Sequence, residues 1–360
     1  MLFRKKKKEE EFEVELVEII EEEAAEEIEG ICLSEVEEAT DDRELRVEGY
    51  EMTENTFLSN DGDTEVAYYV FSPKKAIPKA IIQLSHGMCE YVLRYEHVAE
   101  ELCRRGYIFC GNDHLGHGYT ATGEDDLGFT AAGGGAAFMV KDVHKLTRIM
   151  KNKYPGLPVV LIGHSMGSFI ARLYIEHFAD EIAAAVLVGT GGPEAPAGLG
   201  KKLAKIIMVR EGETARSKLL DKIAFGKYNK KFKKETTPHA WLTRDENVRE
   251  IYDADEFCNY KFTARGFYDL FDMLEAVSRK EWAKKIDKDL PILIMSGEMD
   301  PVGNYGKGVK KVYKRLASAG VKDVTFRLYT EGRHELFNEI NREVVIRNTV
   351  EWIEERLEEI

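Results

Sequence analysis

Residues 157–168 read Leu-Pro-Val-Val-Leu-Ile-Gly-His-Ser-Met-Gly-Ser. The apolar run Leu157–Ile162, rich in branched side chains and closed by glycine, reads as a buried strand. From Ser168 the chain continues as a helix-period stretch to Phe178. Between them stands Gly163-His164-Ser165-Met166-Gly167. A serine at the apex of a tight strand-to-helix turn projects its hydroxyl beyond the sheet edge. Glycines two residues to either side remove the Cβ atoms that would collide with neighbouring backbone. The helix that starts just after the serine aims N–H groups at negative charge developing beside it. The stretch therefore predicts a nucleophile, Ser165, and one oxyanion donor, the backbone N–H of Met166. Gly163, His164 and Gly167 shape the turn.

Outward from this turn, short apolar runs ending in glycine or turn residues recur at 65–72, 80–87, 107–113, 184–192, 291–298 and 324–332. Helix-period stretches at 95–106, 136–154, 309–320 and 344–359 lie among them. Alternation of this kind predicts an α/β fold with a mostly parallel central sheet flanked by helices. The later runs are almost continuously apolar, as for strands covered on both faces. In such sheets chemistry collects beyond the C-terminal strand ends.

A nucleophilic serine needs a base, and the base needs an orienting acid. Of the nine histidines, His334 follows the run Val324–Tyr329 in the turn Thr330-Glu331-Gly332-Arg333-His334. His97, His144 and His177 fall in helical stretches and read as surface or packing residues, and His164 is expected to point away from the serine. Asp300 follows the run Ile292–Met295 at its C-terminal end and precedes Pro301; Asp287 and Asp289 come before that run. The expected triad is Ser165, Asp300 and His334, with Glu298 as reserve acid. The second oxyanion donor is expected from the loop His86-Gly87-Met88-Cys89-Glu90, through the N–H of Met88. His86 and Gly87 are expected to support that loop.

Three motifs carry a resemblance. They are Ser85-His86-Gly87-Met88-x-Glu90 with Arg94-Tyr95 downstream, Asp113-His114-x-Gly116-His117-Gly118, and the Gly-His-Ser-Met-Gly turn. Together with Gly332-Arg333-His334-Glu335 and Asn338-Glu339, they resemble the monoacylglycerol lipase and lysophospholipase (serine aminopeptidase-like) group of α/β-hydrolase serine hydrolases. The order Ser165, Asp300, His334 is the order of that superfamily. The resemblance spans about residues 55–360. It implies hydrolysis of a carboxylic ester, often of a single-chain lipid, without cofactor or metal, by the triad and backbone donors named above. The glycine-rich stretch 300–308 departs from the family's pattern.

The 360 residues carry 51 Lys+Arg and 65 Asp+Glu, a formal charge of −14. Residues 1–54 hold 7 Lys/Arg and 21 Asp/Glu, so the whole charge sits there and the remainder is neutral. An acidic arm excludes nucleic acid as its partner, because phosphate binding needs a basic surface. The expected organisation is an acidic arm at 1–54, possessing helical spacing at Leu16, Ile19, Ile20 and Ile28. Hydrolase core follows at 55–189, a helical cap (lid) insertion at 190–264, and core again at 265–360. Within the insertion, residues 198–240 hold 12 Lys/Arg and 4 Asp/Glu with apolar residues interleaved. Such a cap either touches an anionic lipid surface transiently or is solvated and paired with the acidic arm. The basic start at residues 4–8 leads into acidic rather than apolar sequence, and the five cysteines form no C-x-x-C pair. A cytoplasmic location with reduced thiols is expected. Nothing in the sequence specifies an oligomeric state.

Several other patterns lead nowhere. Gly133-Gly134-Gly135 lacks the ending of a phosphate loop, and the run 303–308 has the wrong glycine order for a dinucleotide fingerprint. His114 and His117 have metal-like spacing but sit in a motif that the resemblance makes structural. The expected function is cleavage of single-chain lipid esters through an acyl-enzyme. The alternatives are a short-chain carboxylesterase or thioesterase, then a peptidase or a non-catalytic binding protein.

Overall fold

A computed structural model describes residues 43–47, 49–192 and 197–358. Strands β1 (Arg43–Val47), β2 (Tyr50–Leu58), β3 (Glu65–Pro73), β4 (Ala80–Ser85), β5 (Tyr107–Asn112), β6 (Val159–His164), β7 (Ala184–Val188), β8 (Ile292–Gly297) and β9 (Val324–Tyr329) form one sheet. Its order is β1-β2-β3-β5-β4-β6-β7-β8-β9. From β5 to β9 every pairing is parallel, while β1, β2 and β3 add antiparallel at one edge. The seven apolar runs of the sequence are β3 to β9.

β1 and β2 went unread, and they move a boundary. Residues 43–47 and 50–54 belong by charge to the acidic arm, yet their backbone pairs within the sheet, Val47 opposite Tyr50 and Tyr50 opposite Pro73. Charges on the open side of an antiparallel edge hide the alternation underneath, where Tyr50, Met52 and Phe57 are buried. The remainder of the arm, with its expected helix, lies outside the described residues.

The helices are α1 (Glu96–Arg104), α2 (Gly135–Lys153), α3 (Met166–His177), α4 (Ala197–Glu211), α5 (Lys218–Phe225), α6 (Glu246–Ala254), α7 (Ala264–Ser278), α8 (Trp282–Lys285), α9 (Lys307–Ala319) and α10 (Arg342–Leu357). Alternate residues of each central strand enter opposite cores. Ile81, Leu161, Leu187 and Ile294 pack on one face with Met139, Val143 and Ile170 of α2 and α3. Ile82, Ile162, Val186 and Met295 pack on the other with Leu102 of α1 and Val350 and Trp352 of α10. Each such fully buried aliphatic side chain contributes roughly 1.5–3 kcal/mol, so the sheet is a stiff platform.

That platform aligns strand ends. Ser85 pairs with Gly163, His164 with Val188, Val188 with Met295, and Gly297 with Tyr329. The loops after β4, β6, β8 and β9 therefore leave the sheet side by side. Between β7 and β8 the chain inserts α4, α5 and α6 before returning through α7. Side-chain caps start α5, α6 and α7: Ser217 accepts from the Leu220 N–H, Asp245 from the Asn247 N–H and Thr263 from the Gly266 N–H.

Candidate active site

Ser165 sits between β6 and α3 with φ 53° and ψ −117°. A side chain other than glycine's at this φ is strained, and neighbouring backbone has to hold it there. The Ser165 N–H donates to Val188 O at 2.9 Å, and its carbonyl accepts from the Ser168 N–H at 2.9 Å. The flanking glycines are required by contact. A Cβ on Gly167 would lie 2.0 Å from Ser85 O, and one on Gly163 would lie 2.4 Å from Gly167 O. The turn is thus wedged against the end of β4.

His334 and Asp300 meet from the loops after β9 and β8. Nδ1 of His334 lies 3.1 Å from Oδ1 of Asp300, and both side chains are buried. Asp300 is itself fixed, accepting from the Val302 N–H at 2.8 Å and the Ser296 hydroxyl at 3.3 Å. Glu298 is exposed and takes no part in this pairing. The His334 ring stands 5.0 Å from that of Trp241, whose carbonyl receives the His334 N–H.

The loop after β4 supplies the other wall. Gly87 approaches the serine so closely that a Cβ there would lie 2.9 Å from the Ser165 Cβ. The Gly87 N–H is spent on Glu90, and the next residue, Met88, lines the cavity with Met166. Met166 opens α3, where first-turn N–H groups have no intrahelical acceptor. His86 lies behind the loop, fully buried. The His114 N–H donates to its Nε2 at 2.9 Å, so its Nδ1 carries the proton and donates to Gly87 O at 2.8 Å. Burial and the neighbouring His114 and His117 hold its pKa well below the usual imidazole value.

His164, expected from the sequence to point away from the serine, ties the site together. Its Nδ1 lies 2.7 Å from Glu90 and 2.9 Å from the Tyr95 hydroxyl, and its ring centroid is 4.9 Å from that of His334. Glu90 also accepts from Arg94 at 2.9 Å, and Arg94 donates two bonds to Glu335, at 3.0 and 2.9 Å. Burial opposes charge on both Glu90 and His164. Their mutual attraction wins, pushing Glu90 below the usual carboxylate range and His164 above the usual imidazole value. Sequence reasoning missed this network as a unit. Its signals were present in the quoted motifs: Arg94 four residues after Glu90, and a carboxylate directly after His334.

Ser165, His334, Met88 and Met166 face one cavity of about 730 Å³. Its far walls come from the inserted segment, through Ile223, Phe225, Trp241, Tyr252 and Tyr260, and from Phe271 and Leu274 of α7. Phe225 stacks on Trp241 with 6.2 Å between centroids. A largely apolar chamber with a few convergent polar groups suits an apolar chain attached to a polar reacting centre. The run that departs from the family pattern has a packing reason: a Cβ on Gly192 would lie 2.4 Å from the Gly308 Cα, so glycine lets this loop abut the root of the insertion.

A family model described as "Serine aminopeptidase, S33" matches residues 76–341. The monoacylglycerol lipase of Mycolicibacterium smegmatis is 28% identical over 296 residues, covering 81% of this chain and 94% of that protein. The monoglyceride lipase of Homo sapiens is 28% identical over 276 residues, covering 73% and 78%. In structure, a thermostable carboxyl esterase from Bacillus coagulans, solved with glycerol, is similar with a TM-score of 0.79 and 29% identity over 85% of this chain and 99% of that one. With a strained serine turn, a paired Asp300 and His334 at adjacent strand ends, and a family match across most of its length, the chain belongs to the serine aminopeptidase S33 family on the α/β-hydrolase fold.

Proposed function

We propose that the protein is a serine hydrolase that cleaves esters of single-chain lipids, such as monoacylglycerols or lysophospholipids, through an acyl-enzyme. The observation that carries this reading is that His334, paired with the buried Asp300, lines one largely apolar cavity with Ser165. The names of the relatives, monoacylglycerol and monoglyceride lipases, support the substrate class.

In this reading Ser165 attacks the ester carbonyl while His334 takes the hydroxyl proton. With Nδ1 engaged by Asp300, the remaining nitrogen, Nε2, does the proton transfer, and Asp300 stabilises the imidazolium. The N–H groups of Met88 and Met166 hold the oxyanion. His334 then protonates the departing alcohol, and water cleaves the acyl-enzyme by the reverse proton path. The acyl chain lies among Phe225, Phe271 and Leu274, and the inserted helices serve as the cap.

The cap also offers a lipid-facing surface. Leu199, Ile206 and Val209 of α4 fall on one helical face and are exposed by 68%, 49% and 82%. Lys202, Lys205 and Arg210 beside them are exposed too. An apolar stripe flanked by cations suits shallow contact with an anionic lipid surface. Among the described residues no helix is long and apolar enough to cross a membrane. The unpaired, buried Cys89, Cys103, Cys110 and Cys258 fit a reducing, cytoplasmic setting.

Likeness to the carboxyl esterase favours one second reading, a general short-chain carboxylesterase. The assignment of the nucleophile is tested by a fluorophosphonate probe. The peptide containing Ser165 is expected to gain the phosphonyl mass, and His334→Ala is expected to label far more slowly. Labelling at another serine would overturn the site.

A further inference from the structure

A second cavity, of about 530 Å³, shares Lys230 as a wall with the cavity that holds Ser165 and His334. It is lined by four lysines of the run 230–234, two arginines and two carboxylates. Both carboxylates are already engaged, Glu235 by Arg333 and Arg249 and Glu331 by Arg244. Lys231 lies 3.5 Å from the centre of the Tyr305 ring. Lys230, Lys233 and Lys234 form no ion pair among the described residues, and all three are exposed. Lys227, on the rim of the first cavity, is likewise exposed.

The run is held in place. Asn229 donates to Pro238 O at 2.6 Å and accepts from the Trp241 N–H at 3.1 Å. Trp241 in turn faces the His334 ring. Unbalanced positive charge in a concavity concentrates anions, and lysine ammonium groups bind phosphate as point charges.

We propose that this lysine groove binds a phosphate group carried by the alcohol part of the substrate. The preferred esters are then single acyl chains on a phosphorylated alcohol rather than on neutral glycerol. The inference rests on the ester-hydrolase reading. It adds the head-group chemistry: the acyl chain occupies the apolar cavity and the phosphate sits beyond Lys230.

The test uses the full chain and two soluble esters, hexanoyl-glycerol and hexanoyl-glycerol 3-phosphate, below the concentrations at which they aggregate. The phosphorylated ester is expected to have a kcat/KM about tenfold higher, carried mainly by KM, because a few exposed ammonium–phosphate contacts are worth about one such factor. The triple variant Lys230→Gln, Lys233→Gln, Lys234→Gln is expected to bring that ratio to about twofold or below, and its arginine counterpart to restore it. Raising the salt is expected to lower the ratio in the parent chain. Competition by inorganic phosphate against the phosphorylated ester supports a groove for phosphate as such; competition by glycerol 3-phosphate alone supports recognition of the whole head group. Equal kcat/KM for the two esters, or a ratio the triple variant leaves intact, overturns the proposal while the hydrolase reading stands. Failure to cut either ester overturns the proposal, and together with no labelling of Ser165 by the fluorophosphonate probe it removes the hydrolase reading as well.

Discussion

The guanidinium of Arg94 grips Glu335 through two parallel N–H···O bonds, at 3.0 and 2.9 Å, across 241 positions of sequence. Glu335 follows His334, and the same guanidinium reaches Glu90, which binds the Gly87 N–H and His164. One largely buried cation therefore couples the loop bearing the proposed base, the loop bearing Met88, and the residue before Ser165. Replacing Arg94 by Met leaves two buried carboxylates short of a counter-charge. The expected loss is about 3–5 kcal/mol of folding stability, read by urea denaturation, together with a fall in kcat. Arg94→Lys is expected to fall between, since a point charge cannot make the forked contact. Unchanged stability in Arg94→Met would show that the loops are held by other means.

Acid sensitivity follows from the buried histidines behind the site. Burial, and for His114 also the neighbouring His117, push His114 down to about 3 and His117 down to about 4. Their folded values lie below the unfolded value of about 6.5, so the unfolded chain binds more protons below that pH. The stability they contribute is complete above about pH 6.5 and drains as pH falls toward 4 and 3. At pH 5 the loss is about 2 kcal/mol per imidazole. In thermal denaturation from pH 8 to pH 4.5, His117→Gln is expected to lose less stability below pH 6.5 than the parent, by about half of the two-histidine effect. A parallel pH profile in the variant would contradict the assignment.

Gly167 is set by contact rather than by its own backbone angles. A Cβ there would lie 2.0 Å from Ser85 O, so its absence is what allows α3 to start against the end of β4. Gly167→Ala is expected to cost about 1–3 kcal/mol through overpacking and to lower kcat more than KM changes, because the turn must withdraw from the Met88 loop. Normal kcat in a folded Gly167→Ala protein would show that the turn has slack.

The exposed stripe on α4 is a surface prediction. Val209→Glu combined with Ile206→Glu places like charges where lipid contact is proposed. Hydrolysis of a long-chain ester in anionic vesicles is expected to drop by about tenfold or more, given two apolar side chains worth roughly 1.5 kcal/mol each on burial. Hydrolysis of a soluble short-chain ester reports whether the chemistry survives. Equal losses on both substrates would place these residues in folding rather than in surface contact.

What could be read from sequence depended on how local its cause is. The serine turn was legible because its constraint, two absent Cβ atoms around one strained residue, is written within five positions. Asp300 and His334 were legible as polar residues just beyond apolar runs whose ends the parallel register then aligns. The Glu90–Arg94–Glu335 clamp was not, because no spacing rule relates positions 241 apart. β1 and β2 hid within acidic composition, which in β2 places Glu51 and Glu54 among the buried Tyr50, Met52 and Phe57. The inserted helices were read as a helical insertion but not one by one as α4, α5 and α6, because charged residues, lysines in α4 and α5 and acidic residues with Arg249 in α6, stand among their apolar positions.

Hydrolysis of monoacylglycerols and p-nitrophenyl esters of two to sixteen acyl carbons, by the full chain and by Ser165→Ala, tests the central claim most directly. The account predicts monoacylglycerol turnover with a long-chain optimum, and a kcat lower by about 10⁴–10⁶ in Ser165→Ala with its fold intact. Turnover in Ser165→Ala above a tenth of the parent rate, or a short-chain optimum with no lipid hydrolysis, would contradict it.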